Sequence, residues 1–169
     1  MFSRINPNQI CILIVDFLYI LLAIGYETVI GHNDVKTGAG VYFYVTRNTS
    51  FSSAWTVIPW EIEQLNIGRA MNLTTGISTV PTSGRYSFAF SARSSKPDVE
   101  NYVWLRVNGA YIFTSFGPSN NYNMPLFAVL NLKKGDEIAM VLGDGSLFDN
   151  RNRHTHFTGI LLEEDLSLV

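Results

Sequence analysis

From Ile58 to Phe90 short apolar runs alternate with turn residues: Ile58-Pro59-Trp60, Asn66-Ile67-Gly68, Thr74-Thr75-Gly76, Pro81-Thr82-Ser83-Gly84, then Tyr86-Ser87-Phe88-Ala89-Phe90. No helix of ordinary length fits between breakers so closely spaced, so the pattern predicts short strands. Upstream, Val41-Tyr42-Phe43-Tyr44-Val45 is an apolar run of strand length, rich in β-formers, and predicts the first strand of a domain. Ile77-Ser78-Thr79-Val80 predicts a strand that ends at Pro81, whose ring nitrogen cannot donate to a ladder. Between Arg85 and Ala92, Tyr86, Phe88 and Phe90 alternate with Ser87, Ala89 and Ser91. At the two-residue period of a strand the three aromatics share one face, and that face must be buried, in the chain's own sandwich or against neighbours.

Asn108-Gly109 supplies cheap positive φ at both centres of a type I′ turn, so it predicts a hairpin joining Tyr102–Val107 to Ala110–Phe113. Leu126–Leu132 and Glu137–Leu142 are expected to form a second pair through Lys133-Lys134-Gly135-Asp136, and His156–Leu162 to form the last strand. Strands of this length and spacing predict an all-β, two-sheet sandwich or a barrel, and no recurring period suggests a solenoid or propeller.

The first 30 residues differ in kind. Ile10 to Tyr26 is an almost unbroken apolar run, preceded by Arg4 and interrupted by Asp16. Its length lies between a secretory h-region and a membrane span. Asp16 weighs against a stable span, because an acidic side chain near the bilayer centre costs about 2.5–3.5 kcal/mol. Ala23-Ile24-Gly25 places small residues before a cut at Tyr26. Residues 1–30 are therefore expected to be a cleaved signal peptide, with a signal anchor as the alternative and a buried core element as the third choice. Residues 31–40 read as a linker, 41–163 as the domain and 164–169 as a tail. With Cys11 as the single cysteine, no intrachain disulfide can form, and Cys11 leaves with the peptide or sits in the anchor.

Composition changes the picture in two places. A chain of 169 residues that is 47% hydrophobic and 15% charged can bury a full core, which excludes disorder. Twelve basic and fourteen acidic residues give a net charge of −2, and no basic block interleaves with aromatics, so no nucleic-acid partner is expected.

Taken in order, Val41 to Arg47, Ile58-Pro59-Trp60, Asn66 with Gly68, Thr75-Gly76, Pro81, Gly84 with Tyr86 and Phe88, Leu105 with Asn108-Gly109, Leu132 with Gly135-Asp136, and Phe157 with Gly159 and Leu161 resemble the globular head domain of the complement C1q family, within the tumour-necrosis-factor-like jelly rolls. The lead-in from Ile30 to Lys36 and the ending Thr155–Gly159 with Glu163-Glu164 further resemble invertebrate, arthropod-type members. The resemblance implies a secreted antiparallel jelly-roll sandwich that assembles as a homotrimer. Three Trp, eight Tyr and eleven Phe are plentiful for one small sandwich, so Tyr42, Tyr86, Phe88 and Phe157 are taken as trimer-interface candidates, against the alternative that they only fill the core. The chain departs from stalked members: it has no glycine at every third position and no long heptad run, so multivalency is expected to come from the trimer itself.

No Gly-x-Ser-x-Gly elbow, phosphate-binding Gly-rich loop or zinc-type Cys/His cluster occurs, so no enzyme is expected. His154 and His156 share a strand face and offer two metal ligands without a third. Some members of the resembled family hold calcium near the trimer apex. That keeps calcium as an alternative on Asp136, Asp144 and Asp149, although turn chemistry accounts for these residues and the expectation is no cofactor. Asn48-Thr49-Ser50 and Asn72-Leu73-Thr74 are glycosylation sequons in turn-rich segments. The polar and aromatic stretch Ser115–Pro125 makes Asn120, Asn121, Tyr122 and Asn123 the ligand-loop candidates, with a structural connector as the bland reading. The expected function is a secreted, extracellular, non-enzymatic recognition module binding glycans, microbial surfaces or protein ligands in an innate-immunity-like role. The alternative is a cytokine-like or matrix-organising ligand for a receptor or other secreted chains.

Overall fold

The computed structural model describes residues 40–95, 99–118 and 122–165. The expected signal or anchor segment 1–30, linker residues 31–39, Asn120 and Asn121, and tail residues 166–169 lie outside the described residues. Among the described residues twelve strands run without a helix: β1 (Tyr42–Thr46), β2 (Thr49–Phe51), β3 (Thr56–Val57), β4 (Ile62–Ile67), β5 (Ile77–Thr79), β6 (Gly84–Ser94), β7 (Asn101–Val107), β8 (Ala110–Gly117), β9 (Asn123–Leu132), β10 (Glu137–Asp144), β11 (Leu147–Asn150) and β12 (His156–Glu164).

The strands form two antiparallel sheets. In the first, β6 is the spine: β9 pairs along one side of it, β12 and then β11 along the other, and the sheet continues from β12 to β1 and β4 and from β11 to β2. The second sheet runs β3-β10-β7-β8, with β5 also on β10. The hairpin expected at Asn108-Gly109 joins β7 to β8, with φ of 48° and 83° as a type I′ turn requires. The expected pairing of Leu126–Leu132 with Glu137–Leu142 does not form. β9 pairs with β6 and β10 with β7, in different sheets. The Lys133–Asp136 turn is a crossover, pinned to the end of β5 where Val80 N–H donates to Asp136 O (2.9 Å) and Gly135 N–H to Val80 O (2.8 Å).

Tyr86, Phe88 and Phe90 are at most 3% exposed, so their shared face closes the chain's own sandwich. Phe157 sits at the centre of this core with no exposed surface. Its ring stacks on Trp60 (5.8 Å, 22°) and Phe88 (6.0 Å, 22°) and meets Phe43 edge-on (5.2 Å). Two residues along β12, a Cβ on Gly159 would lie 2.5 Å from Phe43 Cε1 and 2.8 Å from Phe88 Cε1. Gly159→Ala is thus expected to force core rings off their rotamers and cost about 1–3 kcal/mol in chemical denaturation. Where β1 ends, the buried Arg47 guanidinium donates to Glu61 (2.9 Å), to the Thr49 and Pro59 carbonyls and to Thr49 Oγ1, and lies over Phe51. It ties the loops before β2 and β4 to the sandwich.

Candidate functional site

The pairing registers of the first sheet place side chains in rows across five strands. One row reads Ile67, Tyr42, Ile160, Ser87, Val129 from β4 through β1, β12 and β6 to β9. The next reads Leu65, Tyr44, Thr158, Ala89, Phe127. Seven of these ten residues are large hydrophobics left exposed, up to 71% for Phe127, and Leu162 extends the patch along β12. Five strands span roughly 20 Å. Exposed apolar surface of this extent, interrupted only by the half-buried Ser87, Ala89 and Thr158, marks an interaction site rather than ordinary surface. Such a face carries no bond-making chemistry; it takes up another apolar surface. The second sheet contributes an apolar margin beside it, since β8 runs next to β9, held by Ser115 Oγ donating to Pro125 O (2.8 Å), and exposes Ile112 and Phe113.

Of the four trimer-interface candidates, Tyr42 lies on this face. Tyr86, Phe88 and Phe157 do not: with 3%, 2% and no exposure they belong to the core of a single chain, where a neighbour cannot meet them. The correction follows from the pleat, because these three occupy the inward parity of β6 and β12 and only the opposite parity faces outward. Sequence reasoning missed Tyr44, Leu65, Ile67, Phe127, Val129, Ile160 and Leu162. A signal for them existed: Val41–Val45, Leu126–Leu130 and Ile160–Leu162 are apolar at both parities, and a strand apolar on both faces is one that becomes covered on both.

Among the ligand-loop candidates, Tyr122 is 51% exposed, with its backbone tied to Ser94 in both directions, and Asn123 opens β9. Asn72 is exposed, and its Oδ1 accepts from Thr74 N–H (3.0 Å) and Thr75 N–H (3.1 Å). Asn48 is half-buried, and the hydroxyl of its sequon residue Ser50 is engaged by Asp149 through both backbone groups. The three aspartates proposed for calcium hold turns. Asp136 accepts from Asn108 Nδ2 and Lys133 N–H, Asp144 from Gly145 N–H, and Asp149 from the N–H groups of Asn150, Arg153 and Thr155. His154 packs on Phe148 (5.7 Å). Among the described residues no three His, Cys, Asp or Glu side chains group to hold a metal ion.

His156 stands on the outer face against Tyr44 (ring centroids 6.0 Å). Burial lowers its pKa, opposed by a backbone hydrogen bond at Arg153 and by the charge of Asp149. The unfolded chain takes up a proton near pH 6.5, the folded chain only at lower pH. Between the two values the unfolded state binds more protons, so stability is full above about pH 6.5 and falls as pH drops through the folded pKa. Urea unfolding between pH 7.5 and 5 is expected to show this decline in the wild type and a smaller one in His156→Gln.

The C1q domain family model matches residues 42–162. The human "Complement C1q tumor necrosis factor-related protein 3" is 33% identical over 132 residues, covering 73% of this chain and 52% of the relative, and the mouse protein matches equally. The chain thus spans about half the length of these curated relatives. Among solved structures, the globular domain of zebrafish complement 1qA aligns with a TM-score of 0.62 at 18% identity, covering 74% of this chain and 99% of that domain. Eiger TNF from S. frugiperda aligns with a TM-score of 0.60 at 13% identity, covering 78% and 98%. At these identities the structures establish the jelly-roll fold, and with the family match over residues 42–162 and the 33% identity to its relatives this chain belongs to the C1q domain family.

Proposed function

We propose that this protein is a secreted, non-enzymatic recognition module that works as a homotrimer. The observation that carries the reading is the two-row apolar face across β4, β1, β12, β6 and β9, together with the apolar margin of β8 and β9 beside it. A face and an edge that differ from each other favour a heterologous contact, in which each copy offers its edge to the next copy's face, and such a contact closes into a ring when the rotation between copies returns to its start. Three copies close this ring. Glycans, microbial surfaces or protein ligands are the candidate partners, met by what remains exposed once the faces are covered, and the module is assigned no cofactor. A second reading, a cytokine-like or matrix-organising ligand, draws support from the relative named for both C1q and tumour necrosis factor and from the alignment with Eiger TNF.

Sedimentation of the secreted protein at micromolar concentration is expected to give a trimer, and a clean monomer overturns the assembly. Pull-down of the trimer on bacteria and on cultured cells separates the two readings. Selective microbial capture supports recognition, whereas saturable binding to host cells alone supports the cytokine-like role.

A further inference from the structure

A second aromatic surface lies on the opposite side of the sandwich, on the outer face of the second sheet. β7 sends Tyr102, Trp104 and Arg106 outward while Asn101, Val103 and Leu105 are buried. Cross-strand pairing sets Phe116 opposite Tyr102, Thr114 opposite Trp104 and Tyr111 opposite Arg106. The rings meet: Tyr102 with Phe116 at 5.0 Å, Trp104 with Tyr111 at 5.7 Å, and Tyr111 with Trp55 at 6.3 Å. Two backbone features build this surface. A Cβ on Gly143 would lie 2.9 Å from Trp104 Nε1 and 3.0 Å from Cδ1, so the indole seats where β10 has no side chain. Trp55, 65% exposed, is held at φ 54° with its N–H on Gly143 O (3.3 Å), in a conformation a bulky residue rarely adopts. The loop thus keeps a strained backbone that presents an indole to solvent.

We propose that this platform is a saccharide-binding site, a proposal that rests on reading the chain as an extracellular recognition module and adds the place and the ligand class. The rings face the ligand with negative π surfaces, which attract the polarised C–H face of a pyranose. Their mutual tilts of 36–70° leave no single flat apolar plane. The exposed ring area is on the order of 400 Å², about half of what each partner contributes to a standard protein interface, and fits two or three sugar rings. Polar groups of both kinds frame it. Arg106, in register with Tyr111, offers donors at one end. At the other, Glu100 accepts from Tyr102 Oη (2.5 Å) and Asp144 lies in register with Tyr102; neither carboxylate enters an ion pair among the described residues. These carboxylates also raise the Tyr102 pKa, the Glu100 hydrogen bond first. Hydroxyls, which both donate and accept, suit such a mixed frame better than a purely cationic or purely apolar partner. The platform faces away from the apolar face of the first sheet, and Phe113 of the β8 margin pairs with the inward Leu105 whereas Tyr111 pairs with the outward Arg106. A contact made at that margin therefore leaves the outward rings to the ligand, and weak single-site binding is multiplied across the copies of an assembly.

The test uses the secreted full chain on immobilised mannan, β-1,3-glucan, peptidoglycan and an array of defined oligosaccharides, with Trp55→Gly and Tyr111→Ala beside the wild type. Trp55→Gly removes the ring while relieving the backbone, so its Tm is expected to hold or rise as saccharide capture falls at least tenfold; Tyr111→Ala is expected to weaken capture similarly. Binding is also expected to shift the indole fluorescence of the wild type more than that of Trp55→Gly. Absence of selective capture on every surface overturns the proposal, as does capture unchanged in both variants. Loss in these variants of a protein ligand, with no saccharide bound, assigns the platform to a protein partner and also overturns it. A monomer that captures saccharide through Trp55 overturns the homotrimer and leaves the platform standing.

Discussion

Phe157→Ala is expected to lower stability by about 3–5 kcal/mol, the largest effect of any single truncation in this domain. Phe157 is fully buried, and three aromatic rings from three separate segments rest on it: Phe43 of β1, Trp60 before β4 and Phe88 of β6. Removing the ring opens a cavity that stiff aromatic neighbours cannot collapse to fill, so the loss of dispersion contacts adds to the transfer term. For a domain of this size the corresponding fall in Tm is on the order of 10–20 °C. Differential scanning calorimetry at fixed protein concentration checks it, since the melting of an assembly depends on concentration. A fall of only a degree or two would mean that Phe157 is not the centre of the core. Phe157→Leu keeps part of the volume and is expected to fall between.

Ile160→Asp is expected to give a folded monomer. Ile160 lies in the middle of the first apolar row, between Tyr42 and Ser87, and in a single chain its side chain is 43% exposed. A carboxylate there remains solvated, so the strand signal in circular dichroism is expected to persist. In the assembly the same carboxylate would be desolvated without a partner, once per copy, at a cost of several kcal/mol per ion. Even 3 kcal/mol weakens association by more than 100-fold, enough to move micromolar sedimentation from trimer to monomer. Persistence of the trimer in Ile160→Asp would show that assembly uses another surface.

Much of the fold was legible because its signals are local. Asn108-Gly109 dictates a type I′ turn from its own backbone preferences, and the alternation from Tyr86 to Phe90 assigns β6 and its inward face with no knowledge of what covers it. β4 was harder. Its Ile62–Ile67 segment mixes Glu63, Gln64 and Asn66 with apolar residues at an edge of the sheet, where one side of the strand has no ladder partner to demand β-formers. β9 and β10 do not pair as expected because a short turn between two strands is the same local signal whether it closes a hairpin or crosses between sheets. The difference lies in the anchoring of Gly135 and Asp136 to Val80, more than fifty residues away in the chain.

The apolar face shows the same division. The amino-acid sequence by itself determined the longer apolar strands, the Asn108-Gly109 turn, the inward aromatic parity of β6 and the family, because each rests on backbone preference, on period two, or on a run of residues in fixed order. The short strands β2, β3 and β11 and the edge strand β4 carry no such signal. It also held the fact that several strands are apolar at both parities, without saying that their outward residues align. Only the tertiary structure decided that Ile67, Tyr42, Ile160 and Val129 stand in one row, that Phe157 lies inward, and that Trp55, Trp104 and Tyr111 converge on the other sheet. Register between distant strands sets those neighbours, and register is chosen by the burial of all strands together rather than by any one segment.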